Sequence, residues 1–245
     1  MRFPCPGMPP ANPAPDAEAV RALFERIAPA YDRLNDTLSL GLHRLWKRQA
    51  IAWLRPEPGQ RLLDLCCGTG DLALVLAERV RPGGLVLGLD AAAAPLDRAR
   101  RRARHQPWLP LEFRQGDALA TGLADGWADG AVMAYGLRNL TDPAAALAEL
   151  RRLLRPGGRA AILDFNRPED PQGRTAAFQR FYLRQVVVPL ARRAGLESEY
   201  AYLEASISRF PSGAEQERLA RATGFSQARH HRLAAGQMGL LQLIA

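Results

Sequence analysis

The sequence contains little lysine, little cysteine and no long apolar run. Lys47 is the one lysine among 33 basic residues, and 3 of the 245 residues are cysteine. Three cysteines cannot build a disulfide framework and no Cys/His spacing resembles a zinc site, so we predict no metal and a reducing, cytoplasmic setting. No stretch of about 18 apolar residues exists, so the sequence predicts no transmembrane helix. We attribute the shortage of lysine to a genome bias towards arginine.

Composition and charge predict a folded protein with an anionic partner. Apolar residues make up 47% of the chain, which is enough for a hydrophobic core, and the formal net charge is +8. Residues 1–150 carry 18 basic and 17 acidic side chains, whereas residues 151–245 carry 15 and 8. The excess positive charge therefore lies in the C-terminal part, and an anionic membrane surface is one partner that would match it. Nucleic acid and an acidic ligand are the alternatives that composition leaves open.

The N-terminal segment differs from the rest of the chain. The first 15 residues are rich in proline and lack the apolar stretch of a secretory signal. We predict a disordered leader over residues 1–15, with Met8 as an alternative start. Residues 16–245 are predicted to form a single domain.

Strand and helix patterns alternate between residues 59 and 165. Short apolar runs predict strands at 61–67, 85–90, 111–116, 130–135 and 159–165. Patterns with helical spacing predict helices at 71–80, 92–105 and 144–154. This alternation is typical of an α/β fold with a doubly wound, mostly parallel sheet.

Other elements flank this central region. We predict N-terminal helices within residues 16–58 and a helical insertion, covering the substrate, at residues 166–212. Residues 213–245 predict a helix and then a hairpin of two strands, 226–234 and 238–245. The hairpin would complete a seven-stranded sheet with an antiparallel C-terminal strand.

A glycine loop follows the first predicted strand. Gly68 and Gly70 stand after the leading acid Asp64, and glycine lets the backbone approach a ligand closely. Asp90 ends the second strand, where a carboxylate can accept both hydroxyls of a ribose. The third glycine of a dinucleotide loop is replaced by Ala73, and the lysine-containing P-loop is absent. These features resemble the Rossmann-like class of S-adenosylmethionine-dependent methyltransferases.

This loop also allows two purely structural interpretations. A Gly-Thr-Gly sequence can be a tight turn without a ligand, but Asp64, Asp90 and Asp117 all fall at strand ends, which favours a binding site. Cys66 and Cys67 suggest redox or nucleophilic chemistry, but no histidine lies near them in sequence. We therefore interpret both as small buried apolar residues.

A second polar segment follows the fourth predicted strand. Tyr135, Arg138 and Asn139 stand at the same carboxyl edge as the glycine loop. An arginine, an amide and a phenol can orient a planar substrate that carries oxygen atoms. The same residues can instead satisfy loop carbonyl groups, and local sequence does not separate the two interpretations.

Longer strings extend the resemblance to one family, the quinone-biosynthesis C-methyltransferases. The matching strings are Phe24-x-x-Ile27-Ala28-x-x-Tyr31-Asp32-x-x-Asn35-Asp36, His43-Arg44-x-Trp46, Leu63–Leu72, Gly136-Leu137-Arg138-Asn139-x-Thr141-Asp142, Glu199-Tyr200-Ala201-Tyr202-Leu203 and Phe210-Pro211-Ser212-Gly213. Within the family the chain is most similar to the cyanobacterial phylloquinone branch, which methylates 2-phytyl-1,4-naphthoquinol. The branch-specific strings include Leu65-Cys66-Cys67-Gly68 and Gln237-Met238-Gly239.

The resemblance implies a site, a cofactor and a substrate. S-adenosylmethionine is the implied cofactor, held by Asp64, Gly68, Thr69, Gly70, Asp90, Asp117 and Ala118. Arg138, Asn139 and Tyr31 are the implied catalytic residues for a prenylated naphthoquinol. Because arginine stays protonated, we expect Arg138 to stabilise a quinolate while a positioned water acts as base. One departure from the family is the run Ala91–Ala94, which has no polar side chain after Asp90.

Other functions are weighed against this one. Methylation of demethylmenaquinol or of a ubiquinone-pathway benzoquinol is the nearest alternative, and methylation of RNA is a more distant one suggested by the basic charge. A non-catalytic cofactor-binding module would require a degraded Gly-Leu-Arg-Asn segment, which is intact at residues 136–139. We expect no nucleic-acid partner, peripheral contact with the cytoplasmic face of a membrane, and leave open a homodimer.

Overall fold

A seven-stranded sheet runs through the protein. The computed structural model describes residues 16–27, 39, 41–170, 172–183, 185, 189 and 197–245. Its strands are β1 (Arg61–Leu65), β2 (Leu85–Asp90), β3 (Leu111–Gln115), β4 (Ala128–Ala134), β5 (Leu154–Phe165), β6 (Gln227–Leu233) and β7 (Met238–Ile244), in the order β3-β2-β1-β4-β5-β7-β6. β1 to β5 are parallel, whereas β7 is antiparallel to both β5 and β6. The predicted doubly wound α/β fold with an antiparallel C-terminal strand is confirmed.

Helices cover both faces of the sheet. They are α1 (Ala17–Ile27), α2 (Leu42–Leu54), α3 (Asp71–Arg79), α4 (Ala93–Arg104), α5 (Pro143–Leu153), α6 (Arg174–Tyr182), α7 (Glu197–Arg209) and α8 (Gly213–Ala222). Leu147 and Leu150 of α5 belong to the apolar cluster on one face. Ile51 and Leu54 of α2 belong to the cluster on the other face. Burial of both clusters is the main force that holds the three layers together.

Local sequence explains where several helices begin. The Asp142 carboxylate accepts the backbone N–H groups of Ala144 and Ala145, and Pro143 occupies the first helical position of α5. Ser212 caps α8 through a reciprocal capping box with Glu215. Both caps pair backbone groups that the first turn of a helix leaves without partners.

Helix α2 docks firmly on the sheet. The Trp53 Nε1–H donates to the Ala160 carbonyl at 3.2 Å, and the Arg159 guanidinium lies 5.1 Å from the Trp53 ring. Gly130 of β4 makes room for this helix, because a Cβ there would lie 2.8 Å from Leu54 Cδ1. The docking brings the first half of α2 to the carboxyl edge of the sheet, next to α3.

Three details differ from the sequence predictions or fall outside the described residues. β5 begins at Leu154 rather than at 159, because Leu154 pairs with Ala128 ahead of a register shift in β4. The segment predicted as a helical insertion contributes α6 and the separate helix α7. The predicted leader, residues 1–15, lies outside the described residues. Within the described residues, no helix combines the length and apolarity needed to span a membrane.

Candidate active site

A cavity of about 710 Å³ opens at the carboxyl edge of the sheet. Its walls come from the loops after β1, β2, β3 and β4, with α1 along one side. The strand order reverses between β1 and β4, and open α/β sheets bind ligands at such a switch point. Among the predicted site residues, Gly68, Thr69, Asp90, Asp117 and Asn139 line this cavity.

The two loop glycines have different roles. Gly68 has φ +54°, lines the cavity and has open space where a Cβ would stand, so a ligand can approach its backbone. Gly70 has φ +80°, and a Cβ there would lie 2.8 Å from Phe113 Cζ. Gly70 is therefore needed for the turn into α3 and for packing on Phe113, and it does not line the cavity.

Asp90 joins the glycine loop to the end of β2. Its Oδ2 accepts the Gly68 N–H at 2.8 Å, and its Oδ1 accepts the Ala92 N–H at 2.9 Å. Burial raises the pKa of Asp90, and the Ala92 and Gly68 N–H donors oppose this rise. A carboxylate has about four lone-pair sites, and the Ala91 N–H also hydrogen-bonds to Asp90, so the carboxylate keeps the capacity for one further donor such as a ribose hydroxyl.

The segment after β3 brings a further acid to the cavity. Asp117 is exposed on the cavity, and its Oδ1 accepts the Leu119 N–H at 2.9 Å. The Gly116 N–H donates to the Asp90 carbonyl at 3.0 Å, which ties this segment to β2. Ala118, predicted beside it as a cofactor residue, is 4% exposed and packs in the apolar core rather than on the cavity.

Asp64 lies beneath the loop and not on the main cavity. Its side chain is buried, and its Oδ2 accepts the Ala73 N–H of α3 at 2.9 Å. Burial raises the pKa of Asp64 to about 8, although Lys47 and the Ala73 N–H lower it. Asp64 borders a smaller cavity of about 30 Å³, which shares Gly68, Thr69 and Tyr135 with the main one.

Two strained turns meet at this edge. Cys66 after β1 has φ 55° and Tyr135 after β4 has φ 62°, in the left-handed region that costs free energy for residues other than glycine. Gly136 follows Tyr135 and packs closely on Cys66, because a Cβ there would lie 2.7 Å from Cys66 Cβ. Burial raises the pKa of the Cys66 and Cys67 thiols, which supports packing rather than nucleophilic chemistry.

Arg138 forms a buried ion pair. Its Nη1 lies 2.6 Å from Asp164 Oδ1 and also donates to the Tyr135 carbonyl at 3.0 Å. Its backbone N–H donates to Asp164 Oδ2 at 3.1 Å, and its guanidinium lies 5.1 Å from the Phe165 ring. Arg138 is not among the residues that line the cavity. These contacts place it behind the turn that carries Asn139.

Asn139 presents an oriented amide to the cavity. Its Nδ2 donates to the Tyr135 carbonyl at 2.8 Å, and its Oδ1 accepts the Tyr202 hydroxyl at 3.0 Å. Tyr202 belongs to α7, and the Arg209 guanidinium lies 5.2 Å from its ring. Burial raises the pKa of Tyr202, which keeps the phenol protonated and therefore a donor. The insertion thus reaches the site through this hydrogen bond.

Glu25 compensates for the alanine run after Asp90. Its two carboxylate oxygens accept the N–H groups of Ala93 and Ala94 at 2.5 and 2.8 Å, at the start of α4. The acid therefore supplies a helix cap from α1 that the local sequence does not provide. The same contact fixes α1, which carries Val20 and Phe24, against the cavity.

The comparisons with known proteins identify the family. A sequence profile of the ubiE/COQ5 methyltransferase family matches residues 14–242. The chain belongs to this family. A 2-phytyl-1,4-naphtoquinone methyltransferase of Trichormus variabilis is 51% identical over 91% of this chain and 96% of the relative. A chloroplastic 2-phytyl-1,4-beta-naphthoquinone methyltransferase of Arabidopsis thaliana is 44% identical over 90% of this chain and 85% of the relative.

Solved structures show the same fold at low sequence identity. The [4+2]-cyclase SpnF has a TM-score of 0.63 at 18% identity, covering 95% of this chain and 97% of that one. A SAM-dependent methyltransferase from Aquifex aeolicus has a TM-score of 0.59 at 16% identity, covering 94% and 98%. A fold shared with a cyclase does not decide chemistry. Membership of the ubiE/COQ5 family makes this protein an S-adenosylmethionine-dependent methyltransferase.

Sequence reasoning missed four residues of this ubiE/COQ5 site: Glu25, Lys47, Asp164 and Tyr202. Tyr202 falls within a string that already matched the family, so the sequence contained a signal for its role in the site. Asp164 is the next-to-last residue of β5, and β2 likewise carries an acid, Asp90, at its carboxyl end. The scarcity of lysine was a signal for Lys47. Tyr31, predicted as catalytic, lies outside the described residues. In the described part of the chain, no group of His, Cys, Asp and Glu is arranged to hold a metal.

Proposed function

We propose that this methyltransferase transfers a methyl group to a ring carbon of 2-phytyl-1,4-naphthoquinol and forms phylloquinol. The observation that carries the proposal is the identity to seven relatives named 2-phytyl-1,4-naphtoquinone methyltransferase. They are 48–51% identical over 90% or more of this chain. Demethylmenaquinol and a demethylated benzoquinol are the alternative substrates.

Four residues are proposed to hold S-adenosylmethionine in the main cavity. Asp90 suits a ribose, because it lines the cavity at the end of β2 and its carboxylate keeps acceptor capacity for a hydroxyl. Gly68 offers open backbone, Thr69 stands beside it, and Asp117 lies at the end of the cavity formed by β3. When bound, S-adenosylmethionine supplies an electrophilic methyl group on a sulfonium.

Asn139 is proposed to contact a quinol oxygen. It lines the same cavity as Asp90, and its bonds to Tyr135 and Tyr202 use one amide N–H and one lone pair of the side chain. These two bonds fix the plane of the Asn139 amide. Its second N–H and second lone pair therefore have fixed directions and can contact a ligand. Preorganised donors of this kind stabilise developing negative charge without reorganising during the reaction. Tyr31 remains a predicted third contact.

Arg138 is proposed to act as a positioning residue. Its ion pair with Asp164 and its bond to the Tyr135 carbonyl fix the turn that presents Asn139. A quinol ring carbon becomes nucleophilic when the neighbouring hydroxyl loses its proton, and loss of the ring proton after methylation restores the aromatic ring. Because arginine stays protonated, the proton acceptor for the hydroxyl is proposed to be a water molecule.

A transfer assay tests this proposal. Purified protein is incubated with methyl-labelled S-adenosylmethionine and chemically reduced 2-phytyl-1,4-naphthoquinone. Parallel reactions contain demethylmenaquinol, a demethylated benzoquinol or bulk RNA. We expect the phytyl naphthoquinol to be methylated fastest, and Asp90→Ala to lose cofactor binding. Faster transfer to a benzoquinol would show that the benzoquinol, and not the phytyl naphthoquinol, is the substrate. Transfer to RNA alone would overturn the proposal.

Peripheral contact with an anionic membrane is proposed for the lipid-tailed substrate. Phe178 and Phe181 of α6 are 50% and 61% exposed, in the part of the chain that carries most of the excess positive charge. Exposed aromatic side chains next to arginines suit the boundary between headgroups and acyl chains. This helix lies in the insertion that also contributes Tyr202.

Vesicle sedimentation tests the membrane proposal. We expect binding to vesicles with anionic lipid, weakened by salt and lost in a Phe178→Ser, Phe181→Ser double variant. Trp108→Ser is the matched control, because Trp108 is 56% exposed but lies outside α6. Equal binding by both variants, or binding insensitive to salt and to anionic lipid, would contradict the proposal.

A further inference from the structure

Lys47 stands out among the basic residues of the protein. It is the one position of 33 at which the sequence has lysine rather than arginine. Its side chain is 13% exposed, with Nζ 3.0 Å from Asp71 Oδ2 and 5.9 Å from the centre of the Tyr135 ring. An ammonium is a compact charge with three donors, whereas a guanidinium is a larger planar fork. The exception indicates a site with room for an ammonium.

Lys47 borders the small cavity next to the main one. That cavity measures about 30 Å³, and its lining includes Lys47, Asp64, Thr69 and Asp71. It shares the Gly68–Thr69 segment and Tyr135 with the main cavity, so a ligand bound along the glycine loop can extend into it. The Lys47 ammonium and the Asp64 carboxyl group thus border the same small cavity.

The neighbouring acid Asp71 is already shared between two cations. Arg102 Nη1 lies 2.6 Å from Asp71 Oδ1, while Lys47 binds Oδ2 of the same carboxylate. Although burial raises the pKa of Asp71, Lys47 and Arg102 lower it to about 2. Because Arg102 also neutralises Asp71, this carboxylate compensates only part of the positive charge of Lys47. Lys47 therefore still attracts a second anion from the cavity side.

We propose that Lys47 binds the α-carboxylate at the amino-acid end of the methyl donor, next to the Asp64 carboxyl group that borders the same cavity. This inference rests on the proposed function. Lys47 supplies the cationic partner that this carboxylate needs, on a small cavity that continues from the glycine loop. Lys47 thereby positions the donor along the loop and does not touch the reacting methyl group.

The contribution of the ligand carboxylate to affinity can be measured with two ligands, one with the carboxylate and one without it. Affinities are measured by calorimetry for S-adenosylhomocysteine and for 5′-(3-aminopropylthio)-5′-deoxyadenosine, which keeps the ammonium and lacks the carboxylate. The variant Lys47→Met retains the apolar stem beside Tyr135 and removes the charge. We expect it to weaken S-adenosylhomocysteine binding by about tenfold or more, and to leave the carboxylate-free analogue within about twofold.

Controls make each outcome decisive. Arg48→Met alters the exposed neighbouring residue of α2 and is expected to bind both ligands like the wild type. Equal weakening of both ligands by Lys47→Met would mean that Lys47 only supports the loop, and no weakening of either would mean that it has no role there. Both results overturn the inference. If the Met variant does not fold, Lys47→Gln serves the same comparison. Failure of the wild type to bind either ligand would overturn the proposed function instead.

Discussion

Arg138 and Asp164 join two neighbouring strands at the edge of the active site. The Nη1 and Oδ1 atoms lie 2.6 Å apart, and the two side chains are 9% and 4% exposed. Arg138 stands in the turn after β4, and Asp164 near the end of β5. The pair neutralises two buried charges and holds the turn from which Asn139 faces the cavity.

Removal of Asp164 is expected to destabilise the fold. In Asp164→Ala the Arg138 guanidinium is left buried without its carboxylate, which costs about 3–5 kcal/mol of unfolding free energy. Urea titration measures this change. Asp97→Ala breaks the exposed pair with Arg100 and is expected to cost less than about 1 kcal/mol. Similar losses in the two variants would show that the Arg138–Asp164 pair contributes no more than a surface pair.

Removal of Arg138 is expected to affect turnover more than cofactor binding. In Arg138→Ala the turn that carries Asn139 loses its support, so we predict a fall in kcat of about a hundredfold. The affinity for S-adenosylhomocysteine, measured by calorimetry at low temperature, is expected to stay near that of the wild type. Parallel loss of both quantities would mean that Arg138 supports the whole site and not the quinol side alone.

The cap supplied by Glu25 links α1 to the cofactor wall. Glu25→Ala removes the acceptor for the Ala93 and Ala94 N–H groups, so we predict a loss of about 1 kcal/mol of stability. The affinity for S-adenosylhomocysteine is also expected to fall, because α1 lines the main cavity. Glu78→Ala is the control, since the Glu78 side chain is 47% exposed on α3 and does not line the main cavity. Unchanged affinity in Glu25→Ala would show that this contact of α1 does not contribute to ligand binding.

Asp64 predicts a pH dependence of stability. Burial raises its pKa in the folded protein from the ordinary value of 3.8 to about 8, against the opposing effect of Lys47. Between these values the folded protein keeps a proton that the unfolded chain has lost, so this group lowers the free energy of unfolding as pH rises. Relative to Asp64→Asn, the wild type without ligand is expected to lose stability from about pH 5 to about pH 8. Urea titrations across this range test it, and a difference that does not vary with pH would contradict it.

Short-range patterns were sufficient for the sheet and for part of the site. The glycine loop, Asp90 and Asp117 were predicted from their positions at strand ends, because parallel strands bring all their carboxyl ends to one edge. The same reasoning could not assign individual contacts. Gly70 and Ala118 follow the pattern but pack away from the main cavity, since their neighbours Phe113 and the apolar core occupy that side.

The sequence by itself determined the α/β class, the strand hairpin at the C-terminus, the family and the edge at which ligands bind. These depend on periodicity and on spacings within single strand–loop–helix units. Only the tertiary structure decided that Glu25 caps α4 from 68 residues away and that Tyr202 orients Asn139 from 63 residues away. Partners this distant are chosen by helix packing on the sheet, and no local pattern encodes that choice. The position of Lys47 beside Asp64 and Asp71 likewise depends on the docking of α2 on the sheet.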